Sequence, residues 1–194
     1  MLTTALWLGA LYRDQRKSFE AEKFLNRAEN GFREALGSDN QLTLVVMESL
    51  GNLYVLLAKY APAENIMKAI IEAHDDGSEP VKVLKVHAMS RLAQIYQEIN
   101  EPSKAKETVA LVKRNMHLLR RLHSFSLYEV TIYMIQILAS QGQLLEVEQL
   151  LLETMEYCKR KEGPNHHWWL RMIFQLGEVY RNQSKVDEAE MMYL

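Results

Sequence analysis

Apolar residues along this chain recur at three- and four-residue steps. Leu50, Leu53, Tyr54 and Leu57 share one helical face. Ala63, Ile66, Met67, Ile70 and Ile71 share another, after a short polar turn at 58–62. The same couplet of amphipathic helices repeats along the sequence, with turns predicted at 14–18, 100–103, 141–143 and 182–185. Pro62 and Pro102 fall where a helix's first turn tolerates proline, because the missing N–H has no partner there.

The couplet has a fixed length. Leu8-Gly9-Ala10-Leu11-Tyr12 returns 42 residues on as Leu50-Gly51-Asn52-Leu53-Tyr54, and again as Leu92-Ala93-Gln94-Ile95-Tyr96. It returns two periods later as Leu176-Gly177-Glu178-Val179-Tyr180. The intervening step lands on Met134-Ile135-Gln136-Ile137-Leu138, which keeps the apolar pattern but has neither the small residue nor the tyrosine. Nine residues after each tyrosine position stand Ala21-Glu22, Ala63-Glu64, Ala105-Lys106, Val147-Glu148 and Ala189-Glu190. A small residue on the first helix opposite an alanine on the second lets two backbones approach closely. With Ile135 and Val147 in these places, the fourth couplet is expected to be splayed.

Composition narrows the class. Of 194 residues, 48% are hydrophobic, while only eight are glycine and four proline, so helix formers dominate and the punctuation of a strand-rich chain is missing. The formal net charge of −2 gives no excess to draw the molecule to nucleic acid or an anionic membrane. The lone Cys158 excludes an internal disulfide and fits a reducing compartment, so a cytoplasmic location is expected. Residues 1–12 are apolar but too short to span a bilayer and carry no positive charge before the apolar stretch, so they read as a core helix.

The Leu-Gly-x-Leu-Tyr…Ala-Glu pattern resembles the tetratricopeptide repeat. Its 42-residue period is similar to the longer variety found in kinesin light chains and in sensor arrays of large signalling NTPases. That variety joins its repeats through a Leu-Gly-x-x-His-Pro-x-Thr-Leu-like link. Leu36-Gly37-Ser38-Asp39-Asn40-Gln41-Leu42-Thr43-Leu44 matches the link well. Gly163-Pro164-Asn165-His166-His167-Trp168-Trp169-Leu170 echoes it loosely, while the links near 77–81 and 120–124 have drifted. The resemblance implies an all-α, right-handed superhelical solenoid of antiparallel helix pairs. It would form a single array of about five repeats, at 1–39, 40–81, 82–123, 124–165 and 166–194, the last incomplete. HEAT and armadillo arrays are the rival reading, disfavoured by the Gly/Ala–Tyr–Ala signature. Neither end of the sequence carries a polar capping helix, so a fragment of a longer protein, able to self-associate through uncapped ends, is expected.

In this family the first helices line a concave groove. One partner-facing position follows the small residue and reads Ala10, Asn52, Gln94, Gln136, Glu178. Three residues on stand Arg13, Val55, Gln97, Ala139 and Arg181, and four residues earlier Leu6, Glu48, Ser90, Ile132 and Phe174. Side-chain amides in three consecutive repeats offer donors and acceptors suited to an extended peptide backbone, although the same residues also suit an ordinary solvated helix face. The lysine/asparagine/arginine clamp with which some relatives hold chaperone tails is not matched, since Leu6 and Ala10 stand at its first positions.

Other candidate sites have plainer readings. His166, His167 and Cys158 match no metal-ligand spacing and fit a structural turn. Trp168 and Trp169 point about 100° apart on a helix, and packing between repeats four and five outweighs a binding hot spot. The basic run Lys104, Lys106, Lys113, Arg114, Arg120, Arg121 lacks aromatic stacking platforms and reads as a solvated face. Met47, Met67, Met89 and Met134 fall in the apolar register as core filler. No nucleotide loop, nucleophile elbow or metalloprotease motif is present. The sequence therefore points to a non-enzymatic module that binds a protein or peptide, with no cofactor, metal, nucleic acid or membrane partner. The alternative is a regulatory or sensor domain of an enzyme whose catalytic part lies outside these residues.

Overall fold

The computed structural model describes residues 1–75, 77–122, 124–163 and 166–193, which form ten α-helices and no strand. They pair as the periodicity predicts: α1 (Leu2–Asp14) with α2 (Ser18–Leu36), α3 (Gln41–Leu56) with α4 (Tyr60–Glu72), α5 (Glu79–Glu98) with α6 (Pro102–Leu122), α7 (Ser124–Ser140) with α8 (Leu144–Lys161), and α9 (His167–Asn182) with α10 (Val186–Tyr193). Pro102 opens α6 and Pro62 lies in the first turn of α4. The apolar opening segment is helix α1, packed on α2. No helix among the described residues is long and apolar enough to cross a membrane.

The period is written in the backbone. Every turn inside a helix pair contains one residue in the left-handed region, at Arg16, Ala58, Asn100, Gly142 and Ser184, each 42 residues from the last. The N–H of the next residue donates to the carbonyl five residues before it: Lys17 to Tyr12 (2.9 Å), Lys59 to Tyr54 (2.9 Å), Glu101 to Tyr96 (2.8 Å), Gln143 to Leu138 (2.9 Å) and Lys185 to Tyr180 (2.9 Å). This is the Schellman end, which satisfies a carbonyl that the terminating helix would leave unpaired. Only Gly142 adopts that conformation without a Cβ penalty, and asparagine tolerates it better than most residues.

The small residues do make room, though for a different neighbour than the recurring alanine. A Cβ added at Gly9 would strike Leu25, one at Gly51 would strike Met67, and one at Gly177 would strike Tyr193. Each is the residue one turn beyond Ala21, Ala63 or Ala189 on the second helix. Glycine here lets a large side chain lie flat against the first helix's backbone. In the fourth pair Ile135 and Val147 are both buried.

The chain divides into two compact units, Met1–Asn115 and Met116–Leu194, the division falling within α6. In the first unit α3 packs on α1, α2, α4 and α5, and α4 on α5. One core cluster joins Leu6, Leu25 and Phe32 to Val46, Leu50 and Leu53. A second joins Leu44, Met67 and Ile70 to Val81, Leu92, Ile95 and Tyr96. In the second unit α7 packs on α8, α8 on α9 and α9 on α10. Its core includes Leu127, Tyr128, Met134, Leu151, Cys158, Trp168 and Leu176.

Candidate functional site

In the first unit the polar residues of the first helices are drawn together. Glu48 and Asn52 lie one turn apart on α3, and His87, Arg91 and Gln94 form an i, i+4, i+7 stripe on α5. His87 Nδ1 lies 3.1 Å from Glu48 Oε1, linking the two packed helices, and both side chains are 17% exposed. Arg91 donates to the Gln94 amide oxygen at 3.1 Å. Three atoms in this neighbourhood of the fold are buried with no hydrogen-bond partner among the described residues: Asn52 Oδ1, Gln97 Oε1 and His87 Nε2. Arg13, on α1, is spent on its neighbour Asp14 at 3.0 Å. His87 and Arg91 were missed at the sequence level, although His87 lies two turns before Gln94 on the same stripe.

The second unit carries the remaining candidates in a different state. Gln136 is exposed on α7. Glu178 already accepts a hydrogen bond from the Tyr193 hydroxyl at 2.9 Å and is paired with Arg181. Phe174 is exposed, with its ring 6.0 Å from that of Tyr193. Of the three-amide ladder, Asn52 and Gln94 share one unit and Gln136 belongs to the other.

The tyrosine and glutamate landmarks are bonded to each other. Tyr54 donates to Glu22 at 3.0 Å and Tyr96 donates to Glu64 at 3.2 Å, in both cases 32 residues back and in the preceding repeat. Tyr180 faces Glu148, again 32 residues back, and burial together with that charge holds its phenol above the ordinary value. A lysine completes each clasp: Lys59 pairs with Glu22 at 2.9 Å and lies 5.3 Å from the Tyr54 ring centre, and Lys185 pairs with Glu148 at 3.3 Å and lies 5.2 Å from that of Tyr180. Lys68 pairs with Glu64 at 2.7 Å while Lys104 covers the Tyr96 ring. The Lys59 hydrogen bond, and after it the Tyr54 hydroxyl, hold the Glu22 carboxyl below its ordinary range against the opposing effect of burial. Lys68 and Tyr96 do the same for Glu64. At the step from 106 to 138 the residues are lysine and leucine, a pair with neither carboxylate nor phenol.

The other sequence candidates settle into structural work. His166, three periods after Asn40, is the N-cap of α9: its Nδ1 accepts from Trp168 N at 3.4 Å, as Asn40 Oδ1 accepts from Leu42 N at 2.9 Å. Pro164 and Asn165 of the same link lie outside the described residues. Trp168 is buried with its ring 5.2 Å from that of Tyr128. Cys158 is buried beside Tyr128, whose phenol is pushed well above its ordinary value by burial and by Cys158. Among the described residues no group of three or more His, Cys, Asp or Glu could hold a metal ion.

A family model described as tetratricopeptide repeat matches residues 1–76. No curated protein matches the sequence. Among solved structures, the chain is similar to a putative kinesin light chain from Podosopora anserina with nearly identical TPR-like repeats, at 17% identity and a TM-score of 0.75, covering 99% of this chain and 91% of that one. It is also similar to BtubC (BKLC) from P. vanneervenii, at 15% identity and a TM-score of 0.74, covering 95% and 74%. A third similar structure is YrrB, a TPR protein with an unusual peptide-binding site, at 15% identity and a TM-score of 0.51, covering 97% and 80%.

Proposed function

We propose that this chain, whose residues 1–76 match a tetratricopeptide-repeat model and whose fold is similar to that of a putative kinesin light chain, is an interaction module that holds an extended peptide or helix of another protein along its first helices. The observation that carries this reading is the polar cluster Glu48, Asn52, His87, Arg91 and Gln94, with Gln97 further along α5, in the first unit. Buried polar atoms lacking a partner cost stability, and a peptide backbone supplies both the N–H and the carbonyl that would satisfy them. YrrB, a protein of the same fold with a peptide-binding site, offers a parallel for this use of the array. Gln136, Phe174, Glu178 and Arg181 supply a second, more apolar stretch, and Arg13 flanks the first. No catalytic step is assigned to any of these residues.

Affinity capture from lysate by the wild-type chain and by Asn52→Ala/Gln94→Ala/Gln136→Ala tests the proposal, with circular dichroism confirming that both are helical. A protein held by the wild type and lost by the variant is the expected result. Equal retention would move the site off the first helices. The second reading, a sensor domain whose catalytic part lies in a longer chain, predicts the same groove and differs in what the parent gene encodes.

A further inference from the structure

Within Met1–Asn115 two successive steps of the repeat fill the space beside the turn in different ways. At the second step Tyr60 opens α4, and its side chain packs against the core cluster that includes Leu92, Ile95 and Tyr96. Its hydroxyl donates to Glu98 at 3.5 Å. One period earlier Ser18 stands in the register of Tyr60, and Leu56 in that of Glu98. A hydroxymethyl group replaces the phenol, so the first step lacks both the ring and the ring's acceptor.

The space that a ring would fill is open. A cavity of about 440 Å³ lies there, between Arg13, Arg16 and Ser18 around the first turn and Leu53, Leu56 and Leu57 at the end of α3. Leu53 is buried, whereas Leu56 is 70% exposed where the next repeat carries a carboxylate. The two guanidiniums on the rim are in different states. Arg13 is bonded to Asp14 at 3.0 Å. Arg16 has no ion-pair partner among the described residues. Its counterparts in the left-handed turn position, Ala58, Asn100, Gly142 and Ser184, are all uncharged, so the cation belongs to this turn alone.

We propose that this notch binds a small aromatic carboxylate. The ring takes the place that Tyr60 holds at the next step, against Leu53, Leu56 and Leu57. The carboxylate pairs with the Arg16 guanidinium, and the Ser18 hydroxyl is a second donor. An apolar wall with a few convergent polar groups, enclosing several hundred cubic ångströms, is the usual make-up of a small-ligand site. The lining also selects the anion. A phenol finds no acceptor, because Leu56 replaces Glu98, and an uncharged ring leaves Arg16 unpaired beside it. One ring and one carboxylate match the leucines, Arg16 and Ser18, so the occupant is a compact acid and not an extended chain. The site borders the peptide-binding reading only at Arg13 and stands or falls without it.

Titration of phenylpropionate into the isotope-labelled 194-residue chain, followed by amide NMR shifts, tests the site. Saturable shifts centred on residues 13–18 and 53–57 are expected. Ser18→Tyr, which supplies the ring that the next repeat already has, should abolish them. Arg16→Gln should weaken binding of the acid about tenfold. The uncharged phenylpropionamide should bind the wild type about tenfold more weakly than the acid and be indifferent to Arg16→Gln. Circular dichroism checks that both variants stay helical. No saturable shift, shifts centred elsewhere, full binding by Ser18→Tyr, or an equal loss of acid and amide on Arg16→Gln would each overturn the proposal. A peptide ending in phenylalanine that saturates the same amides where the free acid does not would also overturn it, and would give the notch to a chain terminus.

Discussion

The first helices of the two units occupy the same register and present different chemistry. In Met1–Asn115 the candidate residues are half-buried, tied across α3 and α5 by the Glu48–His87 contact, and leave acceptor atoms without partners. In Met116–Leu194 the equivalent residues are either solvated, as Gln136 is, or already engaged, as Glu178 is by Tyr193 and Arg181. A repeat position tells where a side chain emerges, whereas its neighbours decide whether it is available. Under the proposed function, that difference leads us to expect the interaction energy to be concentrated in the first unit.

The largest expected effect separates fold from recognition in the second unit. Trp168→Ala should cost about 3–5 kcal/mol in urea unfolding, the range for removing a buried aromatic, because its ring packs on Tyr128. Trp169→Ala, on the less buried face, should cost less than about 1 kcal/mol. Equal costs would make the pair a single hydrophobic anchor and weaken the distinction drawn for α9.

The fold was legible because its signals are periodic. Helix pairs, turn positions and the cores around Leu53 and Met67 all follow from one 42-residue spacing with apolar steps of three and four. The tyrosine and glutamate landmarks were visible too, but their meaning was not, since bonding over 32 residues depends on how successive pairs stack. The left-handed residues escaped notice for the opposite reason: Arg16, Ala58 and Ser184 are not residues that advertise positive φ, and tertiary packing imposes it on them. His87 and Arg91 were overlooked because the groove was sought at three recurring positions, and theirs, which read Thr3, Val45, His87, Glu129, Arg171 and Trp7, Ser49, Arg91, Tyr133, Gln175, are not among them.

Smaller effects should come from those turns. Ala58→Gly removes a left-handed Cβ penalty in the first unit and should stabilise by about 1 kcal/mol. Gly142→Ala, in the second, should destabilise by a similar amount. Thermal or urea unfolding reads both, and a loss on Ala58→Gly would contradict the turn geometry.

The smallest effect is that of pH. Glu22 and Glu64 in the first unit, and Glu153 beside Arg120 in the second, have carboxyls lowered from the ordinary value near 4.5. A lowered folded-state pKa means that the unfolded chain binds more protons between the two values. The stabilisation is therefore complete above about pH 4.5 and is lost as pH falls through the lowered values. These groups are part-exposed and screened, so each contributes less than about 1 kcal/mol. Glu22→Gln should reduce the stability difference between neutral and acid solution, and an unchanged difference would mean that the Tyr54–Lys59 clasp carries no net energy.

The most direct test of the account is calorimetric titration of the captured partner's binding segment into three chains: wild type, Asn52→Ala/Gln94→Ala, and Gln136→Ala. The account predicts a loss of about tenfold or more for the first-unit pair and a change within about twofold for Gln136→Ala. Equal affinity for all three, or a greater loss from Gln136→Ala, would contradict it and place recognition away from the α3–α5 polar cluster.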